Sequence, residues 1–328
     1  MRVSTSDGLV VGDWPAWPEV TAMLEAAGAV LAWDVLAGDA VPAARVHDPA
    51  RAAEWLWEIY GPAAEDILGG ARDVTVPADG DWSVRDACRT VAQLDWAQAW
   101  WPASLSAGVP ALDGVALRAE HVLALSGVEH LLDDPDAVER ALGSVALPAD
   151  ADLASRVAAL AEDYGIDLSP APAPARSGFA LAAGGDSGGG TTVLTGASTV
   201  DWTLVPAGTV DAAAPAEWAV VRRGGATVVD VSVVPGPRPG GPLAARFGDV
   251  EVTLGEVDGL GRVTGSAPVP ASVLLLPPEQ RAVVVYAPGF AVPVMPEPGA
   301  GARQAAIIAY ARSRVGSPSA TLTERTAR

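Results

Sequence analysis

The sequence predicts an α+β chain of two parts: an N-terminal irregular α-helical domain and a C-terminal antiparallel β-sandwich of immunoglobulin-like architecture, closed by one helix. Three observations predict it. Hydrophobic periodicity is helical over most of residues 15–165 and changes to a period of two after Gly190. Between them, LSPAPAPARSGFALAAGGDSGGG (168–190) passes from stiff Pro-Ala alternation to flexible glycine, as a linker does. Acidity and tryptophan also segregate: residues 1–168 carry 28 Asp/Glu against 9 Arg, and nine of the eleven Trp lie at or before Trp101. The expected division is an acidic, Trp-rich domain at 1–167, a linker at 168–191, a β-sandwich with terminal helix at 192–315, and a flexible tail at 316–328.

The helical part is well punctuated. Asp48-Pro49 is an N-cap with proline at N1, opening ARAAEWLWEIY. Ser83 with Asp86 has capping-box spacing ahead of VRDACRTVAQLDWAQAWW, where Val84, Cys88, Val91 and Leu94 share a face and Pro102 stops the helix. LRAEHVLALSGVEHLL forms another helix with Gly127 as its weak point. Asp134-Pro135 opens the next, and ADLASRVAALAEDYG ends at Gly165. Five to seven helices are expected, with DVTVPADGDW a short extended interruption.

After Gly190, TTVLTG, VDWTLVP, EWAVVRR, ATVVDVSVV, PLAARF, DVEVTLGEV, GRVTGSAPV, SVLLLP and RAVVVYAP read as short strands between Gly and Pro signals. Gly224-Gly225 is a two-residue hairpin turn. These strands in about 100 residues argue for a sandwich. GARQAAIIAYARSRV follows as a helix whose packing face includes Ala305, Ile308, Ala309 and Val315, and TLTERTAR is expected to fray.

Composition excludes several function classes. The net charge is −19, concentrated in the first part, so nucleic acid and anionic membrane are repelled. Lys and Asn are absent and Ile occurs five times, a bias that points to a very GC-rich bacterial gene, such as an actinomycete's, and removes any lysine chemistry. Cys88 stands alone, which leaves no disulfide framework or cysteine metal cage. There is no secretory leader pattern and no run of 18 apolar residues, so a cytoplasmic protein is expected. Beyond residue 300 the charge reverses, with Arg303, Arg312, Arg314, Arg325 and Arg328 against Glu324. This is either a solubilising helix end or a basic tail docked on an acidic face.

Two motifs invite catalytic readings. GDSGG around Ser187 resembles the segment that bears the nucleophilic serine of trypsin-like proteases, and the resemblance implies His47 and Asp95 as its partners. It covers five residues only. ARVHDPA around His47 reads as a helix N-cap, Asp95 falls inside a helix, and the wider GGDSGGG reads as linker. DDPDAVE (133–139) resembles the aspartate-rich, magnesium-binding motif of terpene synthases, but Pro135 divides it, and N-capping is the better account. His121 and His130 are nine residues apart, on opposite sides of one helix unless Gly127 breaks it. Cys88, on an apolar helix face, is expected to be a buried small hydrophobe. No metal site and no cofactor is expected.

The remaining candidate is aromatic. The pairs Trp55/Trp57 and Trp100/Trp101 sit too close in sequence for every indole to face one core, and prolines hold Trp14 and Trp17 on an extended segment. An aromatic binding surface of Trp14, Trp17, Trp55, Trp57, Trp100, Trp101, Ser104 and Asp113 is therefore expected, centred on the loop WWPASLSAGVPALD (100–113). The function expected is non-enzymatic: an adaptor whose helical domain binds another protein of basic character, and whose sandwich binds a second partner or self-associates, without nucleic acid or membrane. The alternative is an enzyme with a carboxylate-based site in a Trp-lined cleft, drawing on Asp95, Asp113, Arg118 and His121.

Overall fold

A computed structural model describes residues 1–4, 8–169, 190–275, 277, 280–294 and 297–328. GDSGG with Ser187, and nearly all of the expected linker, lie outside these residues. The chain combines helices with open antiparallel sheets. It divides into two units, Met1–Trp100 with Leu112–Ala173 and Gly316–Ala327, and Trp101–Ala111 with Pro174–Val315.

The first unit begins with a sheet rather than helices, which corrects the expectation for its first residues. Strands β1 (Val3–Ser4), β2 (Leu9–Val11), β3 (Thr21–Ala26), β4 (Ala29–Asp34) and β5 (Ala43–Val46) pair antiparallel in the order β1-β2-β5-β4-β3. Ala and Leu favour helix, which disguised these strands. Yet TAMLEA alternates: Met23 and Glu25 are exposed while Ala22, Leu24 and Ala26 are buried. Gly28, at φ +79°, closes the β3–β4 hairpin in a conformation that side chains rarely adopt.

Helices α1 (Pro49–Ala52), α2 (Leu56–Tyr60), α3 (Ala63–Leu68), α4 (Ser83–Trp100), α5 (Gly114–Ser126), α6 (Ala137–Leu142) and α7 (Ala151–Asp163) follow. Asp48 caps α1 through the Ala50 and Arg51 amides. The expected Ser83/Asp86 box does not form. Ser83 is already helical, and the preceding Asp81 accepts its amide at 3.1 Å instead. Helix α4 packs on β3, and its Trp96 indole donates to the Glu19 carbonyl at 2.9 Å. Cys88, Val91 and Leu94 are fully buried on that helix.

The C-terminal segment is also a correction. It forms a short helix, α9 (Leu322–Thr326), with a reciprocal Thr321/Glu324 capping box. Glu120 of α5 accepts the amides of Leu322 at 2.5 Å and Thr323 at 2.8 Å, and the Thr323 hydroxyl at 2.7 Å. Gln93 of α4 donates to the buried Glu324 at 2.9 Å. A tail does meet an acidic unit, but backbone amides at a helix start hold it there.

The second unit contains two sheets. One has five strands in the order β11-β12-β8-β7-β6: β6 (Thr191–Ser198), β7 (Ala216–Arg223), β8 (Ala226–Val233), β11 (Glu256–Val257) and β12 (Val263–Pro268). The other has three, β10-β9-β13: β9 (Leu243–Phe247), β10 (Val250–Leu254) and β13 (Val283–Tyr286). Both contribute to one apolar core, including Val220, Val229 and Val231 from the first and Ala245, Phe247, Val252 and Val285 from the second. Gly224 and Gly225, both at positive φ, turn β7 into β8. Two of the expected strands are 3-10 turns instead, Trp202–Leu204 within VDWTLVP and Ala271–Leu275, which holds the first four residues of SVLLLP. Helix α8 (Ala300–Arg314) buries Gln304, Ile307 and Ala311. Of the expected face, Ala305 and Ala309 are exposed and Ile308 and Val315 only half-buried, so the helix packs through a different stripe.

Candidate functional site

Two loops of the second unit are each fixed by an aspartate, and each displays a leucine. The first is Ala103–Ala111. Asp211, 4% exposed, accepts the Ser104 hydroxyl at 2.7 Å, the Ser106 hydroxyl at 3.3 Å and the Leu105 amide at 3.0 Å. The same carboxylate accepts the amides of Ala213 and Ala214 at 3.0 Å, which fixes its own turn. Ser104 and Val109 exchange backbone hydrogen bonds across the loop. Leu105 stands at the tip, 95% exposed.

The second loop is DGLGR, 258–262. One Asp258 oxygen accepts the Leu260 and Arg262 amides at 2.9 Å, and the other accepts Arg262 Nε at 2.9 Å. Arg262 Nη1 donates onward to Glu217 at 2.6 Å. Partial burial raises the Asp258 pKa, but these amide and guanidinium donors outweigh it and hold the carboxyl below its ordinary value. Gly261, at φ +79°, lets the chain turn so tightly. Leu260 projects from it, 80% exposed.

Both loops line one pocket of about 660 Å³, together with Val257 of β11 and the proline run 235–239. That run is pinned through its backbone: the Gly236 amide donates to Thr209 and the Arg238 amide to Gly208, both at 2.9 Å. Pro235, Pro237 and Pro239 give the wall a stiff apolar surface. Val257 is exposed too, and its strand terminates the five-stranded sheet. The volume falls within the range of ordinary ligand sites. Ser104 is not poised as a nucleophile, because its proton is directed at Asp211 and its oxygen accepts the Ala107 amide at 3.0 Å.

The expected aromatic surface is distributed differently. Trp55 and Trp101 are buried, their indoles donating to Ala27 at 2.8 Å and to Pro110 at 2.9 Å. Trp14, Trp17 and Trp100 are half-buried, and Arg45 lies 4.0 Å over the Trp14 ring. Of the eight expected residues, Trp57 is the one exposed indole. Ser104 is buried at the Asp211 clamp, and Asp113 caps α5 through the Val115 and Ala116 amides. Loop 100–113 does supply a pocket wall, but through Leu105 and not through Trp101, which turns inward. Sequence reasoning missed Asp211, Asp258, Leu105 and Leu260. DGLGR and PGPRPGGP were visible as turn signals, but nothing local joined them to the loop at 103–111.

Of the residues of the enzymatic alternative, two meet: His121 Nε2 lies 3.0 Å from Asp95 Oδ1. Asp113 is occupied in capping α5, Arg118 is exposed, and His130 pairs with Glu58 at 3.2 Å. Helix α5 does end at Gly127, leaving His130 on a 3-10 turn, yet the two histidines keep different partners. His47 is exposed in the bend after β5. Asp133 and Asp134 of DDPDAVE pair with Arg51 and Arg140. Among the described residues, no group of three or more His, Cys, Asp or Glu is placed to hold a metal ion, and no helix is long and apolar enough to cross a membrane. No protein-family profile matches the chain, and no curated protein or solved structure is detectably similar to it.

Proposed function

We propose that the chain is an interaction protein of the bacterial cytoplasm, whose second unit receives an extended peptide segment bearing alternating aliphatic side chains. In this reading the two sheets form a sandwich of immunoglobulin-like architecture, and the acidic helical unit is a second module for a partner of basic character. One observation carries the proposal: two aspartate-fixed loops hold Leu105 and Leu260 in water over a single apolar pocket. Isolated exposed leucines are ordinary on a protein surface. Two that converge on one concavity, on loops ordered in advance, form a preorganised contact. Burial of one such side chain stabilises a complex by ~1.5–3 kcal/mol. The terminal strand β11 supports an extended occupant, because its outer edge offers backbone hydrogen bonds beside a side-chain pocket.

The test is fluorescence anisotropy of a fluorescein-labelled peptide of alternating valine and serine, titrated with the full chain. Saturable binding is expected, weakened ~10–100-fold by Leu260→Asp. Met23→Asp, at an exposed position on the first unit, should leave it unchanged. The absence of saturable binding, or equal binding by the Leu260→Asp protein, refutes the proposal.

A further inference from the structure

A second pocket of the second unit, of about 330 Å³, lies at the start of α8 and shares no residue with the Leu105–Leu260 pocket. Gly299, Ala300 and Gly301 line it from the helix, and Ser198, Thr199 and Asp201 line it from the end of β6 and the residues that follow. Gly299, at φ +86°, is the N-cap and offers the first turn no side chain. The Ala300 amide turns back to Glu297 at 3.2 Å, and those of Ala302 and Arg303 to Gly299 at 3.1 Å. The Gly301 amide is left without an acceptor among the described residues. A helix of 15 residues thus presents a free donor to the pocket at its positive end.

Water would satisfy that amide by itself, but Gln304 adds a demand that nothing around it meets. It is 6% exposed and lines the same pocket. Its side chain, one turn into α8, tilts back toward the helix start as helical side chains do. Nε2 donates to the carbonyl of Val200, another lining residue, at 2.9 Å, which fixes the orientation of the carboxamide. Oε1 is left without a partner among the described residues. A buried acceptor without a donor is costly, and folded proteins keep few of them.

The lining asks for both signs of charge at once. The Gly301 amide and the helix dipole favour a carboxylate. Gln304 Oε1 needs a donor, and Asp201 adds a carboxylate whose bonds from the Thr203 amide at 2.9 Å and hydroxyl at 2.7 Å both use Oδ1. Glu297 lines the pocket as well, with Arg303 at 4.0 Å from its carboxylate. A bare anion would face Asp201 and Glu297, and a bare cation would face the positive helix end. A molecule with both charges suits the lining, and the volume, at the lower limit of ordinary ligand sites, keeps it small. We infer that this pocket binds a free α-amino acid, its carboxylate on the Gly301 amide and its ammonium on Gln304 Oε1 and Asp201. The site is independent of the peptide-binding reading of the other pocket.

Free glycine is the probe, because its ammonium and carboxylate are common to the simplest α-amino acids whatever side chain the occupant carries. Titrated into the isotope-labelled full-length chain and followed by nuclear magnetic resonance, it should shift the Gly301 amide and the Gln304 side-chain amide saturably. Millimolar affinity is expected for so small a ligand. The Val229 amide, in the core between the sheets, should not move. Acetate carries the carboxylate alone and methylammonium the cation alone. Each should bind at least ~10-fold more weakly than glycine, since each forfeits a charge-assisted contact. Asp201→Asn should weaken glycine by a similar factor and keep its turn, because Asn caps as well as Asp. Met23→Asp, on the first unit, should leave glycine binding unchanged. The absence of a saturable shift at Gly301 overturns the inference. Acetate or methylammonium that matches glycine also overturns it, by reducing the site to one charge, as does an Asp201→Asn chain that binds like the wild type.

Discussion

Replacing Asp211 with Asn should release the loop that carries Leu105 while leaving the sheets intact. The carboxylate accepts five hydrogen bonds: four reach Oδ1, from Ser104, Ser106, Ala213 and Ala214, and the fifth runs from the Leu105 amide to Oδ2. An asparagine must place its NH₂ at one of these oxygens. The less costly choice is Oδ2, where a single donor is lost and left facing another donor. That unsatisfied amide costs ~1–3 kcal/mol. The four bonds to the remaining oxygen lose their ionic character, and charge-assisted bonds are roughly twice as strong as neutral ones. Relief from burying a charge offsets part of this. A net local loss of about 2–4 kcal/mol remains, equivalent to a ~30–1000-fold rise in the open population of the loop. Native-state hydrogen exchange is the assay. The amides of Leu105, Ala107 and Val109 should lose protection by that factor, while those of Val229 and Val285 in the shared core should not change. Unchanged exchange at Leu105 would refute the clamp and remove the preorganisation on which the binding proposal depends.

The other predictions concern separate parts of the chain. Asp258 titrates below the ordinary carboxylate value in the folded state, so its contribution is complete above ~3.9 and disappears as pH falls through the lower, folded value. Peptide affinity should therefore be flat from about pH 5 to 8 and drop only in stronger acid; a fall already near neutrality would point to a different group. Burial, reinforced by the nearby Glu58, pushes the Cys88 thiol up to about 12. An aromatic disulfide reagent should then react with it only as the chain unfolds, and rapid labelling of native protein contradicts that packing. Glu120→Gln should loosen α9 by about 1–3 kcal/mol, seen as faster exchange at Leu322 and Thr323. Since amides rather than arginines make these bonds, raised salt should have little effect on α9, and a strong salt dependence would restore the basic-tail explanation.

What the sequence determined by itself is local. Asp48 before Pro49, Gly165 after α7 and Gly224-Gly225 between β7 and β8 act within a few residues, through capping or through a backbone conformation open to glycine. The change to a period of two after Gly190 likewise needs only neighbouring side chains. The N-terminal sheet lay at the limit of this kind of reading. Its alternation was present in TAMLEA, but Ala and Leu are also the strongest helix formers, and strand pairing outweighed their intrinsic preference. Tertiary structure alone decided the pocket and the docking of α9. Ser104 meets Asp211 across 107 residues, and Glu120 meets Thr323 across 203. A carboxylate chooses among distant amides only after the chain has closed, because the same Asp or Glu serves equally well in sequence as a solvated surface charge, a cap or a clamp. The leucines followed the same rule. Leu105 and Leu260 carry the composition of core residues, and it is the two aspartate-held turns that place them at the surface.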